Sequence, residues 1–294
     1  MPTHRLDSPA GGWDPRALLE RNLYRVNRGV LPGLPCGQVT DGGDQMTTAV
    51  QDKGTAIVTG ASRGIGAAIA DRLAVDGYGV IVNYAADSAG AESVVSGIKA
   101  KGGRALAVQA DVASEDDVEV MFERARQMGP ITALVNNAGS PGELAPIGEH
   151  QADALARLME VNILGPMVCS KHAVRAMSTA HGGEGGSIVT MASIAAKAPP
   201  GAKGLVPYEA TKGAMVTFAR GLSNEVASEG IRSNSVSPGV IDTDMVNAEL
   251  RDFGNQAPLG RLGQPEDIAA TVSWLLSPES SFVTGTDITV SGGI

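Results

Sequence analysis

Cysteine and histidine are scarce in this chain, with two and four respectively among 294 residues. Cys36 and Cys169 form no CxxC pair and no HExxH occurs. Neither a disulfide framework nor a metal centre is therefore expected, and nothing points to secretion. Basic residues are in deficit, 23 Lys and Arg against 32 Asp and Glu, for a formal charge of −9. Nucleic acid wants a basic face, so it is excluded as the main partner. No apolar run approaches the roughly 20 residues that a membrane-spanning helix requires, and no signal-peptide core is present. These absences predict a soluble cytoplasmic protein without nucleic-acid or membrane partners. Glycine is abundant instead, at 38 residues, which suits tight turns and close backbone approaches.

Residues 1–53 are rich in Pro, Gly, Arg and Asp and carry no alternation of apolar and polar positions. Asp14 as N-cap and Pro15 at the first helical position predict one short helix over 15–28, ending before Gly29. Acids balance the arginines of this segment, which weakens a transit-peptide reading. Residues 1–45 are expected to be a disordered or loosely attached extension, with Met46 as the alternative natural start, and 46–294 a single domain. From Lys53 onward, short apolar runs at 55–59, 79–83, 105–110, 133–137, 187–191, 231–236 and 287–290 alternate with helical patterns. Runs that are nearly all apolar belong to parallel strands covered on both faces. The expected fold is α/β, a single doubly wound parallel sheet of Rossmann type with helices on both faces.

The stretch "TGASRGIG" follows the first run and opens a helix near Ile65. Gly60, Gly64 and Gly66 would let backbone approach a pyrophosphate and aim a helix N-terminus at it, although GxxxGxG is one residue looser than GxGxxG. An NAD-preferring site places a carboxylate at the end of the second strand, against the ribose 2′-hydroxyl. Here that strand ends "VNYAADS", with Tyr84 at the position, Asn83 and Ala85 beside it, and no acid before Asp87. Arg63 in the loop would attract a 2′-phosphate, and Asn83 and Ser88 could donate to it. NADP(H) is thus expected in preference to NAD(H), with Arg63 as a merely solvated charge the competing reading. In "PYEATKGA", Tyr208 and Lys212 stand at i and i+4, one turn apart on one helix face. Taken alone, that pair is a partly buried tyrosine beside a solvated lysine.

In order along the chain, "TGASRGIG", "ADV", "NNAG", "VN", "MAS", "YEATK", "SPGVIDTDM" and the tail "PLGRLGQPEDIA…VTGTDITVSGG" resemble the short-chain dehydrogenase/reductase family. The likeness runs from about Lys53 to the C-terminus and includes members like 3-oxoacyl-acyl-carrier-protein reductases and glucose or polyol dehydrogenases. It implies cofactor contacts from Gly60, Ser62, Arg63, Gly64, Ile65 and Gly66, and from Asn83, Tyr84 and Ser88. Asp111 and Val112 would lie by the adenine, Asn137, Ala138 and Gly139 by the ribose, and Pro238, Gly239, Val240 and Thr243 by the carboxamide. Asn136 would brace the sheet. Departures are small, with Ala192 where a second serine is common and Ser291 where an aspartate is common.

The resemblance also implies four catalytic residues, Asn162, Ser193, Tyr208 and Lys212. Tyr208 would move the proton, its pKa lowered from about 10 by Lys212 and the oxidised nicotinamide. Lys212 would also hold the nicotinamide ribose, Ser193 would polarise the carbonyl, and Asn162 would hold a water leading to solvent. The implied activity is NADPH-dependent hydride transfer to or from a small-molecule carbonyl or alcohol (a 3-oxoacyl thioester, a sugar or polyol, or a small ketone). The alternatives are a non-catalytic NADP(H)-binding sensor or an interaction protein on the same fold. Glu184, Glu225 and Glu229 against Arg232, in turns expected near the site, lean against an acidic carrier protein as substrate. His150, His172 and His181 read as helix-surface or loop residues, Met245 and Phe253 as pocket or packing residues, and Trp274 as core or interface. The segments 154–177 and 208–227, with the last strand, imply a homotetramer.

Overall fold

The computed structural model describes residues 52–197, 204–244 and 246–294. The expected N-terminal extension, its helix over 15–28, and Met245 lie outside the described residues. All seven strands form where the apolar runs place them, with ends shifted by at most two residues. They are β1 (Thr55–Val58), β2 (Gly79–Tyr84), β3 (Arg104–Gln109), β4 (Ile131–Asn136), β5 (Gly186–Met191), β6 (Ile231–Pro238) and β7 (Asp287–Val290). Their order is β3-β2-β1-β4-β5-β6-β7, and every neighbouring pair is parallel. The winding reverses between β1 and β4, and doubly wound sheets bind ligands at the strand C-termini beside such a reversal.

Among the described residues there are eight α-helices: α1 (Gly64–Val75), α2 (Ser88–Ala100), α3 (Glu115–Arg126), α4 (Ala152–Met159), α5 (Gly165–Met177), α6 (Val206–Val226), α7 (Ala248–Asn255) and α8 (Pro265–Leu276). Alternation along the strands divides the core in two. Ala56, Val58, Val80, Val82, Ala133, Val135 and Val189 pack with residues of α1, α2 and α8. Ile57, Ile81, Leu134 and Ile188 pack on the other face with residues of α3 and α5. One face is thus built from Ala and Val and the other from Ile and Leu. Burying each of the larger side chains contributes about 2 kcal/mol.

Helix starts follow local chemistry. Ser114 Oγ accepts from Asp117 N at 3.3 Å, and Glu115, Asp116 and Asp117 fill the first turn of α3 while Arg124 and Arg126 fill its last. At α8, Pro265 opens the helix and the Asp267 carboxylate accepts from Gln264 N at 2.8 Å. Arg261 clasps the same carboxylate through both terminal nitrogens, at 2.6 and 2.7 Å.

The strand polarity corrects one expectation. Glu184 precedes β5, and Glu225 and Glu229 precede β6, so these acids stand at the N-terminal ends of the strands. Their turns touch one another, Gly186 N donating to Gly230 O at 3.1 Å. Arg232 donates to Leu275 O at 2.7 Å and Val283 O at 3.1 Å. None of these four residues fronts the strand C-termini, and they carry no argument about a carrier protein.

Candidate active site

The loop after β1 is fixed from below. Thr59 Oγ1 accepts from Asn137 N at 2.9 Å and Ala138 N at 3.0 Å, tying it to the loop after β4. Asn137 Nδ2 donates to Thr59 O at 2.9 Å and Gly60 O at 3.0 Å. Asn137 therefore braces the glycine loop, and its amide donors are not turned to a ligand. Gly60 has φ +62, and a Cβ there would lie 2.8 Å from Ala138 Cα. A Cβ on Gly66 would lie 2.4 Å from Gly60 O, so both glycines are required by the close packing of loop, helix and neighbouring strand.

Asn83 also departs from its expected role. It is buried, its Oδ1 accepts from Gly60 N at 3.1 Å, and its Nδ2 donates to Ala110 O at 3.0 Å and Val108 O at 3.3 Å. The side chain ties β2 to the glycine loop and to β3, and has no donor left for a phosphate. Tyr84 packs against the core at the place where an acid would stand. Ser88 is the exposed first residue of α2, capped by Asp87, which accepts from Gly90 N at 3.0 Å.

Nothing caps the N-terminus of α1. Arg63 is its N-cap without a side-chain bond, and the first turn holds no acid. Its first N–H groups and the helix dipole are left to face an anion. The Arg63 guanidinium is exposed and stands 4.0 Å from Asp244. Ser62 and Ile65 are half-buried in the same turn, and Thr243 lies over it, 3.3 Å from where a Gly64 Cβ would be. Pro238 ends β6, Gly239 N donates to Val290 O at 2.9 Å, and Val240 packs on Gly254. Asp111 is bound to Arg157 at 2.5 Å and accepts from Ala113 N at 3.0 Å, so both carboxylate oxygens already have a partner. These contacts and the Arg157 charge hold its pKa below the usual carboxylate value against the opposing effect of partial burial. Val112 is buried against Gly165.

The four expected catalytic side chains come together at the strand C-termini. Asn162 is buried in a π-turn, Glu160–Leu164, between α4 and α5. Its Oδ1 accepts from Ser140 N at 2.9 Å, and its Nδ2 donates to Ser140 O at 2.8 Å and Thr211 Oγ1 at 3.1 Å. Thr211 in turn donates to Tyr208 O at 2.7 Å. Lys212 is 6% exposed, and its Nζ donates to Met191 O, the last residue of β5, at 3.0 Å. An ammonium carries three donors. Two donors have no partner among the described residues, and Gly139 lies beside them, a Cβ there being 3.4 Å from Nζ and 3.5 Å from Asn162 Oδ1. Thr59, Ser140 and Thr211 were not singled out from the sequence, because their work is to place the neighbours of a motif and not to belong to one.

Burial lowers the Lys212 pKa to about 8. Tyr208 is half-buried, and its ring centroid lies 5.6 Å from Lys212 Nζ. Burial raises its pKa, and the hydrogen bond with the Ser193 side chain works in the other direction. Desolvation is the larger of the two effects. Asn136 braces the sheet as expected, donating to Ser170 Oγ at 3.0 Å. His172 is buried against Phe122 and is not a surface residue. His150 Nε2 meets Ala145 O at 2.9 Å, and His181 sits in a one-turn helix before β5. Phe253 is half exposed on α7, and Trp274 is 38% exposed, which removes it from the core. Among the described residues no group of His, Cys, Asp and Glu could hold a metal ion.

An uncapped helix N-terminus over a braced glycine loop, beside a buried ammonium, fits a dinucleotide-handling oxidoreductase. The family model described as Enoyl-(Acyl carrier protein) reductase matches residues 60–294. An uncharacterized oxidoreductase of Methylorubrum extorquens is 42% identical over 251 residues, covering 81% of this chain and 96% of its own. A 3-oxoacyl-acyl-carrier-protein reductase of Staphylococcus aureus is 40% identical over 247 residues, covering 82% and 97%. A solved short-chain dehydrogenase from Burkholderia cenocepacia, in complex with NADP, superposes with a TM-score of 0.77 at 36% identity, covering 83% and 99%. The chain belongs to the short-chain dehydrogenase/reductase family and is an oxidoreductase of the hydride-transferring kind.

Proposed function

We propose that this protein is an NADPH-dependent carbonyl reductase, or the same enzyme run as an alcohol dehydrogenase, with Ser193, Tyr208, Lys212 and Asn162 as its catalytic set. The carrying observation is that Lys212, bonded to Met191 O at the end of β5, and Asn162, bonded to Ser140 after β4 and through Thr211 to Tyr208 O, both flank Gly139. The cofactor reading rests on Arg63 at the uncapped start of α1, on Tyr84 in place of an acid, and on the NADP complex of the Burkholderia relative. When bound, the reduced dinucleotide supplies the hydride. Gly64, Ile65 and Gly66 offer backbone donors to phosphate, and Lys212 offers its two unused donors to ribose hydroxyls. Ser193 Oγ donates to the substrate carbonyl and fixes its direction. A tyrosine phenol is protonated at neutral pH, so Tyr208 can give its proton to the developing alkoxide. Asn162, through its bonds to Ser140 and Thr211, holds the loop after β4 against α6 beside this path.

The substrate is a small carbonyl or alcohol compound, with a 3-oxoacyl thioester, a sugar or polyol, and a small ketone as the competing classes. The test is a panel of acetoacetyl-coenzyme A, ethyl acetoacetate and glucose, followed by the absorbance of the reduced cofactor. At least one member should turn over, and Tyr208→Phe should abolish that turnover while cofactor affinity stays within a few-fold. A variant retaining more than a tenth of the activity would remove Tyr208 as the acid.

A further inference from the structure

Asp287, the first residue of β7, carries a carboxylate whose side chain is 9% exposed. Ser235 Oγ donates to its Oδ1 at 2.6 Å, and Ser237 Oγ reaches Oδ1 and Oδ2 at 3.0 and 2.9 Å. Both serines are buried on β6. Lys197 pairs with Oδ2 and also donates to Thr289 Oγ1 at 3.4 Å. The carboxylate is thus a fixed, hydrogen-bonded anchor, and a cation from the loop after β5 reaches across β6 to meet it.

Lys197 ends the short turn that Ser193 begins. Ser193 is the N-cap of the 3₁₀ turn Ile194–Ala196, and its Oγ accepts from Ala195 N at 3.2 Å. Ala196 N donates to Ser193 O at 3.0 Å, and Lys197 N donates to Ile194 O at 2.9 Å. A single 3₁₀ turn has poor hydrogen-bond geometry and little stability of its own. Its upstream end is held by β6, through Ala192 N donating to Val236 O at 2.7 Å, and its downstream end by the Lys197–Asp287 pair.

We propose that Lys197 and Asp287 are positioning residues for the reaction, clamping the turn after β5 so that the Ser193 hydroxyl stays aimed at the substrate carbonyl. This rests on the reading of Ser193 given above. Small misplacements of a reacting group are costly, roughly a hundredfold for about 1 Å. Releasing one end of the turn therefore acts on kcat through Ser193, while the cofactor contacts, which lie on other loops, are left in place.

The experiment is a double-mutant cycle on the best-used member of the carbonyl panel. Lys197→Gln and Asp287→Asn are each measured in the wild-type and in the Ser193→Ala background. In the wild-type background kcat should fall about tenfold, with KM for NADPH unchanged within about threefold. In the Ser193→Ala background the same substitutions should change kcat less than about twofold, and Lys197→Arg should restore most of the wild-type rate. Lys197 is half exposed, so Lys197→Gln should fold even where Asp287→Asn does not, and its melting temperature checks this. An equal fall in both backgrounds, or no fall in the wild-type background, overturns the clamp while leaving the catalytic reading intact. An undiminished kcat in Ser193→Ala overturns the catalytic reading and the clamp together.

Discussion

Lys212 holds an ammonium where water barely reaches, and among the described residues its one hydrogen-bond acceptor is a backbone carbonyl. Its pKa of about 8 lies below the unfolded value of about 10.4. Between those two pH values the unfolded chain binds more protons, so stability rises with pH through that window. Below about pH 8 the penalty is present in full, on the order of 3 kcal/mol. Losing the bond to Met191 costs about 1 kcal/mol. Lys212→Met should therefore stabilise the fold by about 2 kcal/mol at pH 7, and by about pH 10.5 the lost bond should leave the variant the less stable of the two, as read from urea unfolding at both pH values. The same variant should lose turnover and cofactor affinity together. A Met variant no more stable than wild type at pH 7 would mean that the ammonium is solvated in the folded chain.

Among the elements, α1 makes the sharpest statement about cofactor choice. A guanidinium–phosphate contact contributes roughly 1.5–3 kcal/mol, which is about 10- to 100-fold in kcat/KM for NADPH over NADH. Arg63→Ala should erase most of that ratio by weakening NADPH alone. The pairing with Asp244 does not compete seriously, because both side chains are exposed at 4.0 Å and such pairs contribute little. Asp244→Asn should accordingly leave the ratio within about threefold. Steady-state kinetics with both cofactors decide the matter, and an Arg63→Ala variant that weakens both equally would make Arg63 a plain loop charge. The strands and the glycine loop were legible in the sequence because period and turn chemistry are local. Asn83 was misread because its position beside Tyr84 says nothing of which way β2 turns its side chain. Glu184, Glu225 and Glu229 were misplaced because the sequence shows a turn without showing which end of the sheet it occupies.

At the scale of the whole molecule, Leu164, Met167, Trp274 and Phe282 leave large apolar side chains in water, with Phe282 fully exposed. Among the described residues β7 is an edge strand, paired with β6 alone. Unpaired edges and exposed apolar groups invite a partner, and a second copy of the chain is the expected one. Light scattering at micromolar concentration should give a mass near that of four chains, and Trp274→Glu with Phe282→Lys should lower it. A monomeric mass for the unmodified protein would contradict this assembly. The way the four proposed catalytic side chains converge was visible only through the family resemblance, because they come from segments far apart in sequence.

The π-turn at Glu160–Leu164, where Gly165 N bonds to Glu160 O, inserts an extra residue between α4 and α5. Each residue of an α-helix advances the side chains by about 100°. The turn absorbs that angle, so α4 and α5 run as one nearly continuous rod. Deleting a single residue there would let the rod wind regularly while α5 keeps its azimuth, so the change would be confined to the side chains of the turn itself. Cys169, Ala173 and Met177 would stay against Ile188 and Leu134, while Asn162, inside the turn, would leave Thr211. A one-residue deletion at this point should therefore spare the fold, as read from thermal unfolding, and cost activity by withdrawing Asn162 from its partners.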